Sequence, residues 1–152
     1  MLSWRIVIPD YAAEPLSGAG AARWGSRWNS PGVEMVYAAS SRPLAVLEML
    51  VHLTRDRLPS SAVLIPIEIP DESIAGLPAL PDGWNSHPHG QETQWIGDQW
   101  IAEARSLAMF VPSAVIPAER NILINPGHAR FGEIRVGDAE PHAFDRRLFG
   151  LR

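Results

Sequence analysis

This chain contains neither cysteine nor lysine, and all 13 of its basic side chains are arginines. Without cysteine there is no disulfide, no thiolate metal site and no cysteine nucleophile, and a reducing cytoplasm suits such a composition. Without lysine, Schiff-base catalysis and the P-loop lysine are excluded together. GC-rich coding is one origin for that bias, and the chemical exclusion holds whatever the origin. Long apolar runs are also missing, and "MLSWRIVIPD" has no apolar core flanked by small residues. The expectation is a soluble, unsecreted, cytoplasmic protein with no membrane partner. An excess of positive charge is lacking as well: the net charge is −4, with acidic and basic residues interspersed. No basic stripe exists to follow a phosphate backbone, so nucleic acid is not expected as a direct ligand.

What is present fits one domain, read as residues 1–152, since 46% hydrophobic and 20% charged residues are ordinary for a chain that folds alone. "SWRIVIP" reads as an opening strand that ends at Pro9, and the glycine-rich stretch "GAGAARWGSRWNSPG" (18–32) follows as a loop. "VEMVYAA" (33–39) reads as a strand, and "RPLAVLEMLVHLTR" (42–55) as the clearest helix, capped by Ser40 or Ser41 with Pro43 in its first turn. "SAVLIPIEI" is a further strand, and "PDESIAGLPALPDGWNSHPHGQET" reads mostly as a long surface excursion. "QWIGDQWIAEARSL" returns to helical spacing, after which "AMFVPSAVI", "NILIN" and "FGEIRV" are short β segments. This order lacks regular βαβ alternation and predicts an α+β domain, a mixed sheet with helices.

The glycine-rich stretch begins like a dinucleotide fingerprint, but Arg23 occupies the third glycine position, and Pro9 and Pro15 interrupt the approach. Its spacing alone favours a surface turn. Trp24 and Trp28 beside Arg23 and Arg27 argue otherwise, because aromatic anchors can hold a guanidinium still enough to fork onto a phosphate. Glu48 is the second feature. Leu44, Ala45, Val51 and His52 share its face, while Leu47, Met49, Leu50 and Leu53 cover the rest, so the helix is expected to be buried nearly all round. A carboxylate there needs an arginine, hydrogen bonds or an open cleft; a structural ion pair with Arg27 or another arginine and a functional site are both open. "SHPHG" sets His87 and His89 two apart, a spacing metals use, but no third ligand stands near and no metal is expected. His52, His128 and His142 read as structural or surface histidines. Ser113 lacks the nucleophile elbow and reads as a strand serine bonding its own backbone, and Tyr37 as a core aromatic.

Together "WRI", "GSRWNSPGVEMVYAA", "LAVLEMLVHL", "FVPSAVIPAERNILINP" and "FDRRLF" resemble, in order and approximate spacing, the RES-domain family, the toxins of two-component toxin–antitoxin pairs. The family's arginine, tyrosine, glutamate, serine and asparagine fall on Arg27, Tyr37, Glu48, Ser113 and Asn121; Ser26 stands where the "GGRWN" pattern has its second glycine. The resemblance implies an ADP-ribosyltransferase-like fold and an enzyme that consumes NAD by breaking the bond between nicotinamide and ribose. NAD is then a substrate and not a cofactor, with phosphate as a candidate co-substrate. Nicotinamide leaves neutral and needs no acid, whereas the developing ribosyl cation needs a nearby anion. That role falls to Glu48. Arg27 is expected to hold the diphosphate, Tyr37 to stack on nicotinamide, and Ser113 and Asn121 to position nicotinamide or ribose. An Xre-like antitoxin is the implied partner, in a type II pair that can form a higher-order assembly. The loop from 71 to 94, with Trp84, is either its docking surface or mobile and unpartnered. Two other readings remain: ADP-ribosyl transfer onto a protein through the same residues, and a binding module without activity.

Overall fold

The computed structural model describes residues 1–53, 59, 61–77 and 79–149, with Arg146 given by its backbone only. Their order is β1 (Leu2–Val7), α1 (Ala19–Trp24), β2 (Val36–Ala39), α2 (Arg42–Leu50), β3 (Ala62–Glu68), β4 (Ile74–Gly76), α3 (Gln91–Glu103), β5 (Ala108–Pro112), β6 (Arg120–Ile124), β7 (Arg135–Val136) and β8 (Glu140–His142). The strands form a single mixed sheet in the order β4-β5-β6-β2-β1-β3-β7, with β8 also paired to β3. Only the β4–β5 pairing is parallel among the described residues. This is the expected α+β domain.

Alternation along the strands gives the sheet two different faces. Val36, Ala38, Ile122 and Ile124 pack on one side with Ile67 and Leu107. On the other, Met109, Val111 and Leu123 meet Trp28, Met35 and Trp100, with Tyr37 and Trp84 packed against them. The register sets Tyr37 opposite Leu123 and Ala39 opposite Asn121 on this second face, and Val111 opposite Asn121. Trp4, Ala39, Leu44, Ala45 and Leu64 make a third cluster that seats α2 on the sheet. Proline inside β3 is tolerated because the carbonyl of Pro66 faces the edge, where it accepts from the Gly137 amide at 2.9 Å, so the missing N–H removes no bond to β1.

Several boundaries differ from the sequence expectation. The glycine-rich stretch is not all loop, since its first part forms α1, which ends at Gly25, whose φ of 70° closes the helix. α2 stops at Leu50, and positions 54 and 55 of the predicted helix lie outside the described residues. The expected 70–93 excursion contains β4, and 131–133 is a tight helical turn ahead of β7. α2 is also less buried than expected. Only Leu44 and Ala45 are buried, and Val51, just beyond its end, is 55% exposed. A cavity opens along that flank, and Ala45, Met49 and Val51 line it.

α3 reaches the glycine-rich segment through residues at helical spacing. Gln94 donates to the carbonyls of Ser26 and Asn29 at 3.0 and 3.2 Å, and Asp98 accepts from the Ser30 amide at 2.9 Å. Between them Gly97 lies directly on the Trp28 carbonyl, so a Cβ would overlap that oxygen. Gly97→Ala is therefore expected to destabilise the fold by about 1–3 kcal/mol through forced separation of α3 from Trp28, despite the higher helix propensity of alanine. Equilibrium urea unfolding measures it, and a variant as stable as the parent contradicts this packing.

Candidate active site

Ser41 caps α2 by accepting from the Leu44 amide at 3.3 Å, and Pro43 stands in the first turn, as expected. Glu48 emerges one turn and a half later, beside the ends of β5 and β6. Its Oε1 accepts from Ser113 Oγ and from Asn121 Nδ2, both at 2.6 Å. Ser113, fully buried just past β5, also accepts from the amides of Val115 and Ile116 at 3.1 and 3.0 Å. A hydroxyl has two acceptor sites and one proton. With both acceptor sites occupied, the proton is committed to Glu48. No cation among the described residues comes within ion-pair distance of Glu48, so the structural ion pair with Arg27 is absent. Oε2 receives no donor from the described residues.

Arg27 lies within a short turn closed between Ser26 and Asn29, and Asn29 is fully buried. The Asn29 amide group donates to the carbonyls of Ala21, Ser30 and Val33. Its Oδ1 accepts from the Tyr37 hydroxyl at 2.7 Å, and that hydroxyl in turn accepts from the Trp28 amide at 3.2 Å. Burial pushes the Tyr37 phenol well above its ordinary value. The two tryptophans divide the expected anchoring unequally. Trp28 is buried at 2% exposure, whereas Trp24 is 75% exposed and only meets the Arg23 guanidinium, 5.0 Å from its ring centre. Arg27 Nη1 donates to the carbonyls of Trp84 and Ser86 at 2.5 and 3.0 Å. Both hydrogens on that nitrogen are thereby used, which leaves Nε and Nη2 as a fork. Burial lowers the Arg27 pKa, and the charge of Glu48 acts in the opposite direction.

Arg5, within the "WRI" motif, is a further cavity residue beyond those expected from the sequence. β1 and β2 pair at a single register position, Trp4 opposite Ala39. Beyond it the strands part, and Arg5 Nη1 donates to the free Tyr37 carbonyl at 2.8 Å. Its Nε is buried without a partner, and burial lowers its pKa. The signal available in the sequence was an arginine inside an otherwise apolar strand.

Arg5, Arg27, Tyr37, Glu48 and Asn121 line one cavity of about 670 Å³, a size typical of small-molecule sites. Asn121 Oδ1 is buried without a partner and is an acceptor in reserve. Ser113 is not among the residues lining the cavity and backs Glu48. His52, His87 and His89 are exposed and line the cavity. Among the described residues no group of three or more His, Asp or Glu side chains is arranged to hold a metal ion.

The family model described as RES domain matches residues 2–145. The chain is 42% identical over 152 residues to "Prs ADP-ribosylating toxin" of Sphingobium sp. (strain YBL2), covering 95% of this chain and 94% of the relative. It is 42% identical over 154 residues to "Toxin Res" of Pseudomonas putida (98% and 100% covered) and 40% identical over 152 residues to "Toxin Res" of Yersinia enterocolitica (97% and 99% covered). Among solved structures, the M. tuberculosis MbcT-MbcA toxin-antitoxin complex contains a chain of the same fold, with a TM-score of 0.75 at 19% identity over 98% of this chain and 86% of that one.

Ser113→Ala is expected to orphan the Val115 and Ile116 amides and one lobe of Glu48, costing about 1–3 kcal/mol in chemical denaturation. Stability equal to the parent contradicts the hydroxyl's triple engagement.

Proposed function

Because the chain belongs to the RES domain family, we propose that it is the toxin of a toxin–antitoxin pair and acts by cleaving NAD at the bond between nicotinamide and ribose. The observation that carries this reading is the Glu48 carboxylate: one oxygen is held by two donors, the other receives none from the described residues, and two arginines share its cavity. Stabilising a ribosyl cation requires an anion beside it, the role proposed for this carboxylate. In the proposed reaction the electron pair of the breaking C–N bond goes to nicotinamide, which departs neutral. Oxygen of water or phosphate then bonds to the ribose carbon and its proton is released. Arg27, through its remaining fork, and Arg5 face the two phosphoryl groups of the diphosphate, and Tyr37 offers a ring face to nicotinamide. Asn121 Oδ1 can accept from a ribose hydroxyl or the nicotinamide amide.

A second reading has specific support in the relative named "Prs ADP-ribosylating toxin". The acceptor is then a protein side chain, attacked through the same cavity. Incubation of purified protein with NAD, with and without phosphate, followed by mass spectrometry of small molecules and of added protein, separates the acceptors. Release of no nicotinamide under any condition contradicts both readings. An Xre-like antitoxin is the proposed partner, supported by the toxin names of the relatives and by the solved toxin–antitoxin neighbour.

Glu48→Gln should lower NAD turnover by about 10²–10³ while keeping the fold, because the amide oxygen still accepts from Ser113 and Asn121. Turnover near the parental rate in a folded variant contradicts the assigned role. Arg27→Lys should be nearly as damaging as Arg27→Ala, since an ammonium cannot hold two carbonyls and also fork onto a phosphate. Calorimetric titration of NAD into the Glu48→Gln background tests it, and unchanged binding on adding Arg27→Lys counts against a diphosphate contact.

A further inference from the structure

Three histidines that the proposed chemistry leaves unused, His52, His87 and His89, line the Glu48 cavity. Two come from the "SHPHG" segment and one lies a helical turn beyond Glu48 in sequence. Among the described residues of the cavity wall Glu48 is the only carboxylate, set against Arg5 and Arg27. The chain as a whole is acidic, at −4, so this wall is a positive island on it. Such a wall repels metal cations and draws anions. Nor is the histidine segment a free loop. The Trp84 ring packs against the Trp28–Trp100 cluster, and the Trp84 and Ser86 carbonyls are held by Arg27. The backbone just ahead of His87 and His89 is thus held at the cavity by the arginine assigned to the diphosphate, while both histidines remain exposed.

We propose that His87 and His89, with His52 on the same cavity, form a separate subsite for a phosphoryl oxyanion. This deepens the NAD-cleavage reading and rests on it for the identity of the cavity. The oxyanion has two sources, free inorganic phosphate that attacks the ribose, or a further phosphoryl group on the dinucleotide, as in NADP. Imidazole N–H groups donate to phosphoryl oxygens. Arg5 from β1, Arg27, Tyr37 from β2 and Glu48 from α2 share the cavity with them.

The test begins with inorganic phosphate alone, added to the full chain while the imidazole resonances are followed by NMR. His128 and His142, which do not line the cavity, serve as internal references. Saturable shifts at His87 and His89, with the references still, are expected, and His87→Gln/His89→Gln should weaken phosphate half-saturation by about tenfold or more. Parallel shifts at every histidine, or undiminished binding in the double variant, overturn the subsite. NAD and NADP cleavage are then compared in parent and double variant. Loss of phosphate stimulation with NAD identifies a free acceptor ion, loss of a preference for NADP identifies the dinucleotide's own phosphoryl group, and no change in either overturns the functional assignment. Phosphate binding without NAD consumption counts against the cleavage reading and leaves the subsite standing. NAD consumption with silent His87 and His89 does the reverse.

Discussion

The site turns on where one hydroxyl proton goes. Ser113 sits where β5 ends, and two consecutive backbone amides occupy its acceptor capacity. Its proton can only be given away, and Glu48 receives it. A carboxylate on a largely apolar helix is costly to dehydrate unless donors replace water. Ser113 and Asn121 supply two on the same oxygen, from the ends of adjacent strands. The same contacts fix the helix against the sheet, so the charge is at once the reason the helix needs holding and the means by which it is held.

The cavity in front of that charge is an interruption in the sheet. β1 and β2 meet at Trp4 and Ala39 and then part. Arg5 satisfies the Tyr37 carbonyl that a longer ladder would have used. On the other side the turn carrying Arg27 is pinned by Asn29 from within and by α3 from outside, where Gly97 permits backbone to touch helix. Each wall thus belongs to an element whose main duty is elsewhere: a strand, a helix cap, a packed turn.

The parts of this architecture that follow from local rules were legible in the sequence. Ser41 and Pro43 announced α2, the apolar run in "NILIN" announced a short strand, and Glu48 stood out as a charge in an apolar pattern. What depended on distant neighbours was not legible. α1 forms in a segment whose glycines argue for a loop, because Asn29 and the Ala22 carbonyl close the turn that follows it. β8 is "EPH", a poor strand by composition, and exists because the free edge of β3 accepts it. Trp24 and Trp28 were indistinguishable four residues apart, yet only one meets Gly97. The donors on Glu48 come from 65 and 73 residues away, and no spacing rule reaches that far.

Arg27 has a fixed number of hydrogens, and two are spent on the carbonyls of Trp84 and Ser86. Whatever draws the guanidinium toward itself must either accept the edge that remains or pull those carbonyls along. Ligand affinity and the local order of the segment are therefore two sides of one thermodynamic balance. Amide exchange near Ser86 becomes a gauge of occupancy at a site it does not itself contact, and a substitution at Trp84, remote from any reacting atom, would be felt as a change in how firmly an anion is held.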